Sequence, residues 1–288
     1  MTNIITPTAA RRRLRLALRK ARDGTGLTQE QVAGSMDWSL SKVIRIESGT
    51  VGISTNDLRA LLRLYEVRDE AETREFLELA RAARRRGWWT QFRDAIPPSF
   101  VEYIGLEADA SVHRYLQSYW VPGLLQTKAY SRAMVVGTAP HQVDEEHIES
   151  MVEVRLKRQE AVLDRDDPPE IVAYLDESVI RRVIGGPTVM REQLLSLVAS
   201  ARRPNTTIRV LPFAAGPHPA MASAVLILEF PDEGDDPVVY LENALTGEIL
   251  ERPDDMGIYY HAFEKLDTLA LPPDASIALI TKVADELA

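Results

Sequence analysis

Between Thr28 and Gly49 the chain reads TQEQVAGSMDWSLSKVIRIESG. The side chains there that could do chemistry are Leu40, Ser41, Lys42, Ile44 and Arg45, a mixture of hydroxyl, cations and aliphatic groups. None of them forms an acid–base or nucleophile–base pair, but together they suit the edge of a base pair. Arg or Lys donates to guanine O6 and N7, serine accepts or donates, and leucine or isoleucine lies on a thymine methyl, each good bidentate contact giving about 1–3 kcal/mol of discrimination. For Ile44 two roles stay open, a thymine methyl or sideways packing against a neighbouring helix.

Elsewhere the residue types of catalysis and metal binding lack the required spacing. His113, His141, His147, His218 and His261 form no H-x-x-x-H pair. The run DRDDPPE from Asp164 has no alternating carboxylates for a cation loop, and IGGP from Ile184 lacks the G-x-G-x-x-G of a phosphate cradle. Ser178, His218 and Asp176 supply the types of a hydrolytic relay without a G-x-S-x-G elbow. The expectation is therefore no enzyme, no cofactor and no metal.

The elements that must position the 28–49 stretch are legible locally. Thr28 followed by Gln31 fits a capping box that starts one helix. The chain turns after Asp37, and a second helix ends at Gly49, where positive φ costs a glycine little. Val32, Ala33, Met36, Val43 and Ile46 then form one small core if the two helices cross steeply, with Ala33 small where they approach. A helix from about Thr8 to Ala21 precedes them. Others follow, one capped by Ser54 and Asp57 and one over DEAETREFLELARAARRR, with acids early and arginines late as its dipole prefers.

After Arg86 the texture changes to Trp88, Trp89, Pro97 and Pro98, a hinge by composition. The predicted domains are 1–86, all-α, and 87–288, α+β, so that the chain is α+β overall. Predicted strands in the second are Val112–Tyr119, Ile171–Leu175, Thr207–Leu211, Ala224–Phe230 and Val238–Leu241. Predicted helices are Lys128–Val136, Glu145–Leu163, Glu177–Ile184, Val189–Ala201, Asp254–Ala270 and Ala275–Glu286.

Charge divides at the same place. Residues 1–86 hold 17 basic and 11 acidic side chains, a net of +6, while the remainder holds 17 and 32, a net of −15. That asymmetry joins a nucleic-acid-facing module to an acidic body that faces something else. Arg11, Arg12, Arg13, Lys42, Arg45 and Arg59 are the cations expected to displace counterions from phosphates. The absence of cysteine excludes disulfides and thiolate sites and points to a reducing cytoplasm. No apolar run reaches membrane-spanning length.

Leu27, Thr28-Gln29, Val32-Ala33, Met36, Ser39, Ser41-Lys42-Val43, Arg45-Ile46-Glu47 and Gly49 resemble the λ-repressor and Cro type of helix-turn-helix, the XRE family, over roughly residues 10–66. The resemblance implies a λ-repressor-like domain that contacts double-stranded DNA through Thr28, Gln29, Ser39, Leu40, Ser41, Lys42, Ile44 and Arg45. Gln29 would hold a phosphate and brace the recognition helix. It also implies a buried ion pair between Arg22 and Glu47. Asp37 and Trp38 depart from the usual small turn, where glycine is common.

Further on, YWVPGLLQTKAYSRAMV (from Tyr119), RLKRQEAVL (from Arg155), IGGPTVMREQLLSL (from Ile184), PNTTIRVLPFAAGPHPAM (from Pro204) and VVYLEN (from Val238) look like the C-terminal domain of actinobacterial WhiJ-like regulators. That resemblance implies a DNA-binding regulator, often paired in antitoxin-like fashion with a very small neighbouring protein. Two roles follow for the acidic body. It binds such a small protein partner, with Trp120, Leu124 and Leu125 as an apolar anchor, or it binds a metabolite in a pocket near Leu211 to Met221. VPGLL and LPFAAGPHPAM also read as plain turns feeding strands into the core. A homodimer is expected, because one short recognition helix reads only a few base pairs.

Overall fold

The computed structural model describes residues 5–92, 96–139, 144–221, 223–232, 235–242, 247–251 and 253–288. It divides into two compact units, residues 1–90 and 91–288. This places Trp88 and Trp89 with the first unit, a few residues beyond the division after Arg86 expected from composition.

The first unit is all-helical: α1 (Pro7–Thr25), α2 (Gln29–Met36), α3 (Leu40–Glu47), α4 (Thr55–Leu64) and α5 (Glu70–Ala82). α1 begins with Pro7 behind a Thr6 cap, where a missing N–H costs nothing. It runs a turn beyond the predicted Ala21, because Gly24 stays helical and the stop falls at Gly26, φ 72°. Thr28 and Gln31 form the expected capping box at α2, and Ser39 and Ser54 cap α3 and α4. Leu14, Leu18, Val32, Ala33, Val43, Ile46, Leu58, Leu61, Leu62, Phe76 and Leu77 meet in one core. Their helical spacing turns one apolar stripe of each helix inward.

The second unit contains α6 (Pro98–Asp109), β1 (Val112–Gln117), α7 (Lys128–Thr138), α8 (Glu145–Leu163), β2 (Glu170–Asp176), α9 (Glu177–Arg181), α10 (Pro187–Ser200), β3 (Thr206–Leu211), β4 (Ala224–Glu229), β5 (Val238–Glu242), β6 (Gly247–Leu250), α11 (Pro253–Leu269) and α12 (Pro273–Asp285). The sheet order is β3-β2-β1-β4-β5-β6. β1, β2 and β3 are parallel, and β4, β5 and β6 continue antiparallel. Helices lie between the parallel strands in sequence, as such crossovers require. With an all-helical first unit and this mixed sheet, the chain is α+β.

Alternation along the strands gives the sheet two faces. Leu116, Val172, Tyr174, Val225, Ile227 and Val239 pack with Met256, Phe263 and Leu266 of α11. Tyr115, Gln117, Leu226, Tyr240 and Glu242 point to the other face.

Two elements escaped the sequence reading. α6 begins at Pro98, which occupies the first helical turn instead of marking a hinge, and β6 is a short, half-polar edge strand. The helix predicted over Glu177–Ile184 stops at Arg181, and Gly185 and Gly186, both at positive φ, lead into α10. Among the described residues no helix is long and apolar enough to cross a membrane.

Candidate nucleic-acid interface

α2 and α3 are joined through Asp37, which adopts the left-handed conformation (φ 52°) and sends its N–H to the Ala33 and Gly34 carbonyls. Asp and Asn are the non-glycine residues that enter this region most readily, so the turn keeps its geometry without glycine. Trp38 follows, its N–H on Ala33 O at 2.9 Å and its ring partly buried against the core. Ala33 is itself buried there.

α3 is fixed at both ends. At its start, Ser39 Oγ accepts the Lys42 N–H at 3.2 Å. Lys42 Nζ lies 3.7 Å from the centroid of the Trp38 ring and pairs with Asp57 Oδ2 at 3.1 Å. At its end, Glu47 is 1% exposed. Arg22 Nε donates to its Oε1 at 2.8 Å, Gln29 Nε2 to its Oε2 at 2.8 Å, and the Tyr65 hydroxyl to Oε1 at 3.2 Å. Desolvation opposes the Arg22 charge, but the hydrogen bond and field of Glu47 outweigh it and raise its pKa. Burial, reinforced by Glu47, likewise pushes the Tyr65 phenol up. The two residues singled out for an ion pair are in contact.

These bonds leave one side of α3 open. Leu40 is 37% and Ile44 43% exposed, neither belongs to the core cluster, and Ser41 and Arg45 are exposed. At i, i+4 spacing, Leu40 sits beside Ile44 and Ser41 beside Arg45, whose Nε is parked on the Ser41 carbonyl at 3.2 Å. Ile44 therefore faces outward instead of packing sideways. The side chains of Thr28, Gln29 and Ser39 are engaged inside the domain, Thr28 and Ser39 as caps and Gln29 as a brace on Glu47.

The set of cations open at the surface is narrower than the sequence implied. Arg12 is buried at 4% exposure, whereas Arg11 and Arg59 are exposed.

The anchor expected in the second unit needs correction. Leu124 and Leu125 are 2% and 4% exposed and offer no surface to a partner. Glutamines hold their loop inward: Gln159 Nε2 donates to the Gly123 and Gln126 carbonyls at 2.8 Å, and Gln193 Nε2 to the Leu125 carbonyl at 2.8 Å. Trp120 is half-buried, its Nε1 donating to Glu242 Oε2 at 3.4 Å. In the stretch from Leu211 to Met221, Phe213 and Met221 are exposed, and the partly open hollow between the sheet and α8 has none of these residues in its lining.

His218 Nε2 does meet Asp176 Oδ2 at 3.0 Å, but the Ser178 hydroxyl donates to the Ser118 carbonyl at 3.0 Å, so the three side chains form no relay. His113 is buried against the Glu107 carbonyl, and His141 lies outside the described residues. Among the described residues no group of three or more His, Asp or Glu is placed to hold a metal ion.

Two stretches of the chain match known families. Residues 13–76 match the model of a Helix-turn-helix domain, the fold of DNA-binding regulators, and residues 100–282 match a Domain of unknown function (DUF5753). Neither a curated protein nor a solved structure matches the chain. Since the second match alone takes in more than half of the sequence, the chain belongs to the DUF5753 family, with a helix-turn-helix domain ahead of the family domain.

Proposed function

We propose that the protein is a sequence-specific transcriptional regulator of the λ-repressor/Cro (XRE) type, reading the major groove through Leu40, Ser41, Ile44 and Arg45. The observation that carries this is the open face of α3: donors and aliphatic groups in adjacent rows, on a helix locked at one end by Glu47 and at the other by Asp57. Lys42, Arg11 and Arg59 supply the electrostatic component.

A homodimer fits this reading, because two half-sites about 34 Å apart add the affinity and specificity that one eight-residue helix lacks. The second unit is the effector body of a WhiJ-like, antitoxin-like regulator of the cytoplasm, without enzymatic activity. Its acidic balance supports a basic small-protein partner, although with Leu124 and Leu125 withdrawn the attraction is one of charge.

Selection from random double-stranded oligonucleotides tests the reading. A two-fold symmetric motif is expected, with affinity falling steeply from low to physiological salt. Enrichment of nothing, or affinity indifferent to salt, overturns it.

A further inference from the structure

Beyond DNA reading, and independent of it, the first unit carries an open groove between α1 and α5. Ala17, Ala21 and Gly24 line one side, and Val67, Phe76 and Leu79 the other, around a volume of about 480 Å³. The lining runs from Ala17 to Thr25 on α1 and from Glu72 to Leu79 on α5, about 12 Å or two helical turns. Its floor is the outer layer of the core: Phe76 is buried, and Ala17, Ala21, Val67 and Leu79 pack against the same cluster while staying partly open. The hollow exists because the α1 side is cut away. Gly24 lies within α1, where glycine is a costly choice, and a Cβ placed on it would meet nothing within 4 Å.

The rim is acidic. Glu66, Glu72 and Glu75 line the groove with Lys20 on the α1 side, and all four are exposed. Among the described residues none of the three carboxylates joins an ion pair or accepts a hydrogen bond. Unpaired acids therefore gather around an apolar floor on a unit whose residues 1–86 carry a net charge of +6. Glu66 also holds the left-handed conformation, φ 58°, which glycine adopts freely and a glutamate adopts at a cost.

The sign of the rim selects the occupant. DNA phosphates are repelled, and a second copy seated two-fold symmetrically would bring the same glutamates face to face. A cationic helix satisfies floor and rim together: apolar side chains one turn apart enter the hollow, and lysines or arginines beside them reach the carboxylates. We propose that the groove docks a short, basic amphipathic helix of a partner protein. No residue of α3 lines it, so Leu40, Ser41, Ile44 and Arg45 stay open to DNA while it is filled. Tyr65 does line it and donates its hydroxyl to Glu47, so the docked helix rests on a residue that braces the end of α3.

Fluorescence anisotropy on the full chain tests this with a labelled, alanine-rich helical peptide of about 16 residues, carrying leucines one turn apart flanked by lysines. A control peptide has glutamates in place of the lysines. The lysine peptide binds, and the glutamate peptide binds at least about tenfold more weakly, the combined effect of several exposed charge pairs. Gly24→Leu fills the hollow and weakens the lysine peptide at least about tenfold, while the melting temperature holds or rises because a glycine leaves the helix. Glu66→Gly weakens it about two- to fivefold, the effect of one exposed pair, and melts no lower because the left-handed turn suits glycine. No anisotropy change with the lysine peptide on folded protein overturns the proposal, as do equal binding of the glutamate peptide and undiminished binding by Gly24→Leu or Glu66→Gly. Light scattering that finds a wild-type dimer and a Gly24→Leu monomer would give the groove to a second copy and overturn it as well.

Discussion

Arg22 and Glu47 tie the end of the first helix to the end of the recognition helix, Nε to Oε1 at 2.8 Å, with the carboxylate side chain 1% and the guanidinium 13% exposed. Desolvation offsets much of the Coulomb gain of such a pair, so its contribution is geometric: it fixes where α3 stands against α1. Gln29 and Tyr65 complete the cage around the same carboxylate.

Removing Glu47 takes from Arg22 its buried counter-ion, leaving only the exposed Asp23 carboxylate at 2.9 Å, and takes the acceptor from Gln29 and Tyr65. Glu47→Ala is therefore expected to destabilise the first unit by about 3–5 kcal/mol, and Tyr65→Phe by only about 1 kcal/mol. Urea unfolding followed through first-unit amide signals measures both. A Glu47→Ala midpoint equal to the wild type would show that the cage carries no structural weight.

Arg45 has the opposite profile, its side chain exposed and, among the described residues, bonded to the Ser41 carbonyl of its own helix. Arg45→Ala should leave the melting temperature unchanged and weaken binding to the selected DNA site by about 1–3 kcal/mol, relaxing preference at one base position. Fluorescence anisotropy with matched and mismatched duplexes reads this. A uniform loss across sequences would assign Arg45 to phosphate instead of base.

Much of the recognition unit was legible because its signals are local. The Thr28–Gln31 box, Gly49 and the stripe Val32, Ala33, Val43, Ile46 lie within 22 residues, and each acts on its neighbours. What was not legible depends on contacts far apart in sequence. Leu124 and Leu125 read as an exposed anchor because nothing nearby announces Gln159 and Gln193, which hold their loop down. Gln117 of β1 and Glu242 of β5 reach one sheet face across β4, in an order that does not follow the chain, and Glu107 meets Arg158 across 51 residues. α6 was hidden by its own start signal, since Pro97-Pro98 reads equally as a hinge.

Asp57 sets how much charge Lys42 presents. The ammonium is shared between a carboxylate at 3.1 Å and the Trp38 ring at 3.7 Å, beside a face proposed to meet phosphates. Asp57→Asn removes the carboxylate while the ring still holds the lysine in place. DNA affinity should rise, by less than about tenfold, and the slope of log affinity against log salt should steepen by about one. The loss of an acid from the first turn of α4 costs about 0.3–1 kcal/mol of stability. Weaker binding would mean that Asp57 is needed to aim Lys42.

His113 gives the second unit a pH dependence. Its Nε2 lies 3.1 Å from the Glu107 carbonyl, and Nδ1 is buried without a partner. Burial lowers its pKa from 6.5 to about 4, a shift only partly countered by the Glu107 carboxylate and assisted by Arg165 and Arg158. The folded state thus resists a proton that the unfolded chain accepts. Stability from this residue is fully present above pH 6.5 and declines as the pH falls toward 4, by up to about 3 kcal/mol. The Glu107 carboxyl, which Arg158 holds below its ordinary value against the opposing effect of burial, adds a further loss only at lower pH. Over pH 7 to 5 the Glu242 carboxyl, pushed up by burial, acts in the opposite sense, since the folded state takes up that proton first. The histidine is therefore read as a difference: urea midpoints for second-unit amides should fall in the wild type relative to His113→Gln, which keeps a donor for the Glu107 carbonyl and cannot titrate. A parallel drop in both proteins would place the sensitivity in another group.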